Sequence, residues 1–241
     1  MIKRILVTFD IDGTILLADN GRKIQMASII HAYRQFFGKD PVLKPNPMNL
    51  FQFMYHGITD SAAFQSLFIK QRYPFKRSDV LKIIKYYDDF YLQQNLGYVE
   101  LFPGVRNTIR TIKKMENVYV AIASGSTEKT AKYKLKCADN IIEEFDPFIG
   151  AFGENPLRNL CIEKAKELTE IRIGEKIDHV IHLGDTHGDV MSAFFAHATP
   201  IAVETGQYKK ADFPKFATVI RNMECDFYVI LSTIKRLQRE G

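Results

Sequence analysis

Four short runs of apolar and β-branched residues stand out along the chain: Arg4–Phe9, Val118–Ala123, His179–Leu183 and Pro200–Val203. Continuous apolar runs of this kind read as parallel strands buried on both faces. Amphipathic stretches lie between them, at Val105–Met115, Thr127–Cys137, Arg158–Leu168 and Asp189–His197. Strand–helix alternation predicts an α/β fold built on a doubly wound parallel sheet.

From about residue 15 to residue 101 this rhythm breaks, and helical patterns follow one another without strands between them. Met26, Ile29, Ile30, Tyr33, Phe36 and Phe37 share one helical face, as do Val80, Ile83, Ile84, Tyr87, Phe90 and Tyr91. Thr59 or Asp60 is placed to cap a helix over Ser61–Lys70, and Ser78 to cap the later one. An all-helical block after the first strand predicts a second, smaller domain over residues 16–100. The main domain then comprises residues 1–15 and 101–241, ending in a helix over Asp226–Gln238.

Composition narrows the class. A length of 241 residues suits one large domain or a main domain with an insertion. The net charge of +5 is spread along the chain rather than gathered in a stripe, so nucleic acid is not an expected partner. An excess of positive charge suits small anionic substrates. Cys137, Cys161 and Cys225 form an odd, widely spaced set without a CxxC pair. This speaks against a disulfide framework or a zinc site and for a reducing compartment. No run approaches the roughly 18 apolar residues of a membrane span, and Asp10 stops the first apolar run too early for a signal peptide. The expectation is a cytoplasmic protein, monomer or homodimer, with no membrane partner.

The strand ends carry the candidate chemistry. Asp10 and Asp12 follow the first run in "FDIDGTIL", Ser124-Gly125-Ser126 the second, and Asp185 with Asp189 the third in "VIHLGDTHGD". Ligands of open parallel sheets bind outside the carboxyl ends of the strands, so these residues are expected to meet in one crevice. Carboxylates gathered there repel one another unless a hard cation neutralises them, and Mg²⁺ prefers such oxygen ligands together with waters and substrate phosphate.

In this order, Asp10-x-Asp12-Gly-Thr14, Ser124-Gly125 and Gly-Asp185-x-x-x-Asp189 resemble motifs I, II and IV of the haloacid dehalogenase superfamily. The helical insert resembles that superfamily's C1 cap, as in phosphoglycolate-phosphatase-like and β-phosphoglucomutase-like members, and "LFPGV" at residues 101–105 resembles the return from cap to core. The resemblance spans nearly the whole chain. It implies that Asp10 attacks phosphorus, forming an aspartyl-phosphate. Asp12 then protonates the leaving oxygen and later takes a proton from the hydrolytic water. Asp10, the Asp12 carbonyl and Asp185, with Asp189 nearby, form the implied Mg²⁺ site. Ser124 is implied to hold a phosphate oxygen, helped by the Gly125 amide and the helix N-terminus near Thr127, while Thr14 orients the loop.

An acid at Asp12 fits a leaving alcohol that needs a proton, so the implied reaction is hydrolysis of a small soluble phosphate ester rather than dehalogenation. For the motif III cation the sequence offers Arg158 and Lys164, of which Arg158 opens a helix after a loop and is preferred. The resemblance leaves two other functions open, a phosphomutase of the β-phosphoglucomutase kind and a non-catalytic binding protein.

Plainer readings exist for the same letters. Asp-Gly is a common turn pair, Asp189 can cap a helix, and Ser124-Gly125-Ser126 can be an N-cap. His187 reads as an exposed bystander and His182 as a satisfied core residue. His56, Thr59 and Asp60 in "YHGITD" fit either a substrate-reading cap segment or a helix start.

Overall fold

The computed structural model describes residues 2–41 and 57–240; His56 lies outside them. Six parallel strands form the main sheet in the order β5-β4-β1-β6-β7-β8. They are β1 (Ile5–Phe9), β4 (Val118–Ala123), β5 (Gly150–Ala151), β6 (His179–Gly184), β7 (Thr199–Val203) and β8 (Thr218–Ile220). A doubly wound α/β architecture is what the strand–helix alternation predicted.

Side-chain alternation explains why both faces of this sheet are covered. Ile5, Val7 and Phe9 of β1 enter one apolar cluster with Ile109 of α4 (Val105–Lys113), Leu135 of α5 (Glu128–Cys137) and Ile234 of α8 (Phe227–Arg239). Leu6 faces the opposite cluster, with Ala165 of α6 (Asn159–Ile173) and Ala193 of α7 (His187–Phe195). Every β1 side chain is buried, which is why its sequence reads as a continuous apolar run.

The register decides where the chemistry falls. Phe9, the last residue of β1, pairs with Ile122 of β4 on one side and Leu183 of β6 on the other. Three neighbouring strands therefore end nearly level, and Asp10, Ser124 and Asp185 follow those ends side by side.

Between β1 and β4 the chain forms helices α1 (Gly21–Phe37), α2 (Asp60–Lys70) and α3 (Arg77–Tyr91). They enclose an apolar cluster of their own, including Tyr33, Phe64, Phe68, Ile83 and Tyr87. Two expectations for this block need correction. It is not free of strands, because β2 (Leu16–Ala18) pairs antiparallel with β3 (Val99–Leu101) where the chain leaves and rejoins the sheet domain. Three-residue strands are too short to show a period. Ser78 does not cap α3 either: the helix begins at Arg77, and the Asp79 carboxylate accepts the Lys76 N–H at 2.8 Å. Thr59 does cap α2, accepting the Ala62 N–H at 3.1 Å.

Candidate active site

Asp10 leaves β1 into a tight turn in which the Ile15 N–H reaches the Ile11 carbonyl at 2.8 Å. Gly13 sits in that turn at φ +81°, a left-handed conformation that favours glycine. A β-carbon there would lie 2.3 Å from Asp185 Oδ2. The missing side chain is what lets the Asp185 carboxylate rest against the first loop.

Asp10, Asp185 and Asp189 are all buried, and one carboxylate oxygen from each lies within 4.8 Å of the others. Arg158 is the counter-charge. Its Nη2 lies 2.8 Å from Asp10 Oδ1 and 2.5 Å from Asp189 Oδ1. One guanidinium against three carboxylates leaves an excess of buried negative charge, which is costly without a further cation. Asp185 Oδ1 is buried with no hydrogen-bond partner among the described residues. An orphaned carboxylate oxygen beside two other acids fits a divalent cation, and its hard oxygen donors suit one.

The electrostatics separate these acids. Burial pushes Asp10 up to about 7 despite Arg158. Burial, together with Asp189 and Asp10, also raises Asp185 well above the usual carboxylate range. Asp189 goes the other way: burial opposes its charge, but Arg158 and His182 outweigh it and hold the carboxyl below the usual range.

Asp189 is also tied to its own loop. Its Oδ2 accepts from the Thr186 N–H at 3.0 Å and the Thr186 hydroxyl at 2.5 Å, closing a capping box at the start of α7. His182 Nε2 stands 3.3 Å from Asp189 Oδ1, and its Nδ1 lies 3.0 Å from Thr8 Oγ1. Burial lowers the imidazole pKa, and a carboxylate only accepts. The neutral ring therefore presents Nε2–H to Asp189, and the Thr8 hydroxyl beside Nδ1 also stands 3.1 Å from the Ile181 carbonyl. His182 is a satisfied core residue, as read from the sequence, and also steadies the acid that holds Arg158.

Asp12 points elsewhere. Its carboxylate stands outside the three-acid group, with Oδ2 2.5 Å from Lys134 Nζ and 3.2 Å from Ser126 Oγ. Sequence reasoning missed Lys134. A lysine on an amphipathic helix reads as solvated, yet this one is only 4% exposed. Burial opposes its charge, but Asp12, Tyr91 and Asp60 keep its pKa above the ordinary lysine value.

The other expected residues fall as follows. Asp10, Asp12, Ser124, Gly125, Arg158 and Asp185 line one cleft of about 430 Å³. Thr14 is buried and is not among the residues that line this cleft, and its hydroxyl has no partner among the described residues. Lys164 pairs with Glu167 on the exposed side of α6. His187 is exposed and packs against the Tyr208 and Phe213 rings.

The start of α5 is not an open anion site, contrary to expectation. The Thr127 N–H donates to Asp60 Oδ2 at 3.0 Å, and the Glu128 N–H donates to Glu154 Oε1 at 2.7 Å. Asp60 thus caps a helix other than its own and fastens the helical block to the sheet domain. Its N–H reaches the Gly125 carbonyl at 2.8 Å, and Asp88 Oδ1 accepts from the Thr127 hydroxyl at 2.5 Å.

The haloacid dehalogenase-like hydrolase family model matches residues 6–197. The chain belongs to this family. Solved structures with the same fold include a predicted phosphatase from Clostridium acetobutylicum, with TM-score 0.66 and 18% identity over 96% of this chain and 100% of that one. A hydrolase from Pseudomonas syringae gives TM-score 0.63 and 18% identity over 96% and 99%. CbbY from Rhodobacter sphaeroides, solved in complex with phosphate, gives TM-score 0.60 and 17% identity over 93% and 96%. At such identities the likeness is one of fold. No curated protein sequence matches the chain. Among the described residues no helix is long and apolar enough to cross a membrane.

Proposed function

We propose that the protein is a Mg²⁺-dependent phosphomonoester hydrolase acting on a small soluble phosphorylated metabolite. The observation that carries this reading is the meeting of Asp10, Ser124, Arg158 and Asp185 in one polar cleft at three adjacent strand ends.

Asp10 is the nucleophile, and its attack splits one hard displacement into two easier ones. Arg158 holds Asp10 Oδ1 and keeps the attacking carboxylate from turning away. Ser124 and the Gly125 amide orient the phosphate oxygens. Asp12 gives a proton to the leaving alcohol and takes one from the water that follows, a role typically contributing ~10²–10⁴-fold. Asp10, the Asp12 carbonyl and Asp185 would hold the cation, with Asp189 anchoring Arg158 beside them. When bound, Mg²⁺ supplies positive charge that offsets the nucleophile and the phosphate.

Residues 16–100 act as a cap over the core formed by residues 1–15 and 101–241, excluding water from the cleft when closed.

The test is a phosphate-release screen over sugar phosphates, nucleotides, phosphoglycolate and small organic phosphates, with and without Mg²⁺. Mg²⁺-dependent release from at least one ester supports the reading, and isomer formation in place of release would make the protein a mutase. No turnover across the panel would leave a binding protein on an enzyme fold.

A further inference from the structure

The buried lysine on α5 has no place in the scheme above, although it touches one of the residues that scheme depends on. Its ammonium lies 2.5 Å from Asp12 Oδ2 and 2.9 Å from Ser126 Oγ, and Ser126 Oγ itself stands 3.2 Å from the same carboxylate oxygen. Two donors therefore converge on Oδ2, while no described group holds Oδ1. The Tyr91 ring covers the ammonium, with Nζ 5.7 Å from its centroid.

The pair is lopsided. The Asp12 side chain is 53% exposed, whereas that of Lys134 is 5% exposed. An ion pair with one wet partner adds little to stability, yet burying an ammonium carries a large desolvation cost. Fold stability is therefore a poor account of this contact. Its geometric effect is specific: with Oδ2 held by two donors, the carboxyl of this cleft-lining residue can turn only by breaking both, which leaves Oδ1 as its other oxygen.

We infer that Lys134 is a positioning residue that fixes Asp12 with Oδ1 as the proton-carrying atom for the leaving group. The inference rests on the phosphohydrolase reading. In the first step the P–O bond to the leaving group breaks as the Asp10 oxygen bonds to phosphorus. The proton on Asp12 Oδ1 passes to the departing oxygen, giving a neutral alcohol. In the second, water adds to phosphorus, its proton returns to Oδ1, and the bond to Asp10 breaks. Lys134 exchanges no proton; it keeps the donor aimed.

Leaving groups that differ in their need for a proton supply the test. para-Nitrophenolate departs readily without one, whereas phenolate gains from protonation. With Mg²⁺ present, kcat is measured on para-nitrophenyl phosphate and on phenyl phosphate for wild type, Lys134→Met, Lys134→Gln and Asp12→Asn. The expected result for Lys134→Met is a loss about tenfold or more greater on phenyl phosphate, part of the usual general-acid contribution. Lys134→Gln, which keeps a donor, falls between, and Lys134→Met adds nothing in an Asp12→Asn background. Equal losses on both esters overturn the inference, because a merely structural lysine affects both alike. A crystal structure of Lys134→Met provides a readout independent of turnover: Asp12 in an unchanged orientation overturns the inference, and a rotated carboxyl upholds it. Absence of any wild-type turnover would instead count against the phosphohydrolase reading.

Discussion

Arg158 Nη2 lies 2.8 Å from Asp10 Oδ1, and both side chains are buried. The same nitrogen reaches Asp189, so one guanidinium bridges the proposed nucleophile and the first turn of α7. Removing it leaves two buried carboxylates without their counter-charge. Arg158→Met is expected to lower stability by about 3–5 kcal/mol, the usual cost of breaking a buried pair, and to abolish turnover. Arg158→Lys keeps the charge but not the planar fork, and should recover stability more than activity. Urea unfolding in metal-free buffer checks the first outcome, and an unchanged midpoint for Arg158→Met contradicts it.

Gly13 stands at φ +81°, where an added β-carbon would lie 2.3 Å from Asp185 Oδ2. Gly13→Ala combines left-handed strain, about 1–3 kcal/mol, with a direct clash on a proposed Mg²⁺ ligand. The expected result is a higher Mg²⁺ requirement together with a lower melting temperature. A variant that melts lower but needs no more Mg²⁺ would separate the turn from the cation site.

Stability should depend on pH in a defined direction. Burial lifts Asp10 and Asp60 to about 7 and Asp88 to about 6, from an ordinary value of 3.8. An acid with a higher pKa in the folded state takes up protons on folding. Its contribution is complete below the unfolded value and is lost as pH rises through the folded one. In metal-free buffer the melting temperature should therefore rise as pH falls from about 8 to about 5. Below the ordinary carboxylate range the trend reverses, because Asp189 has a depressed pKa and its contribution disappears on protonation. Asp60→Asn keeps an acceptor for the Thr127 N–H and should flatten the slope. Adding Mg²⁺ at about pH 8 should restore stability, by about 2.7 kcal/mol at a hundredfold excess over Kd. A melting temperature that climbs steadily from pH 5 to pH 8 without metal contradicts this.

The parallel core was legible because its central strands are buried on both faces and carry no polar alternation; β1, with Ile5, Leu6, Val7 and Phe9 all inaccessible, is the clearest case. The edge strands were not: two residues in β5 and three in β8 hold no period. Asp10, Ser124 and Asp185 could be placed because a strand end is a local event, and the register then makes three such ends adjacent. Lys134 could not. It is buried because Tyr91, from α3, covers it and Asp12 meets it, and both arrangements are tertiary. Asp60 was named as a helix start or a substrate-reading residue, and it does line the cleft, but its partner was not legible. Its letters fit a cap for α2, but its carboxylate reaches across to α5.

The most direct measurement of the central claim is whether phosphate passes through Asp10. The enzyme is mixed with substrate and Mg²⁺, quenched in acid during turnover, and digested for mass spectrometry. The account predicts a phosphoryl group on the peptide containing Asp10, absent from Asp10→Asn, whose turnover falls by about 10³-fold or more while its folded structure persists. Steady phosphate release with no adduct, and an Asp10→Asn variant as fast as wild type, would contradict it.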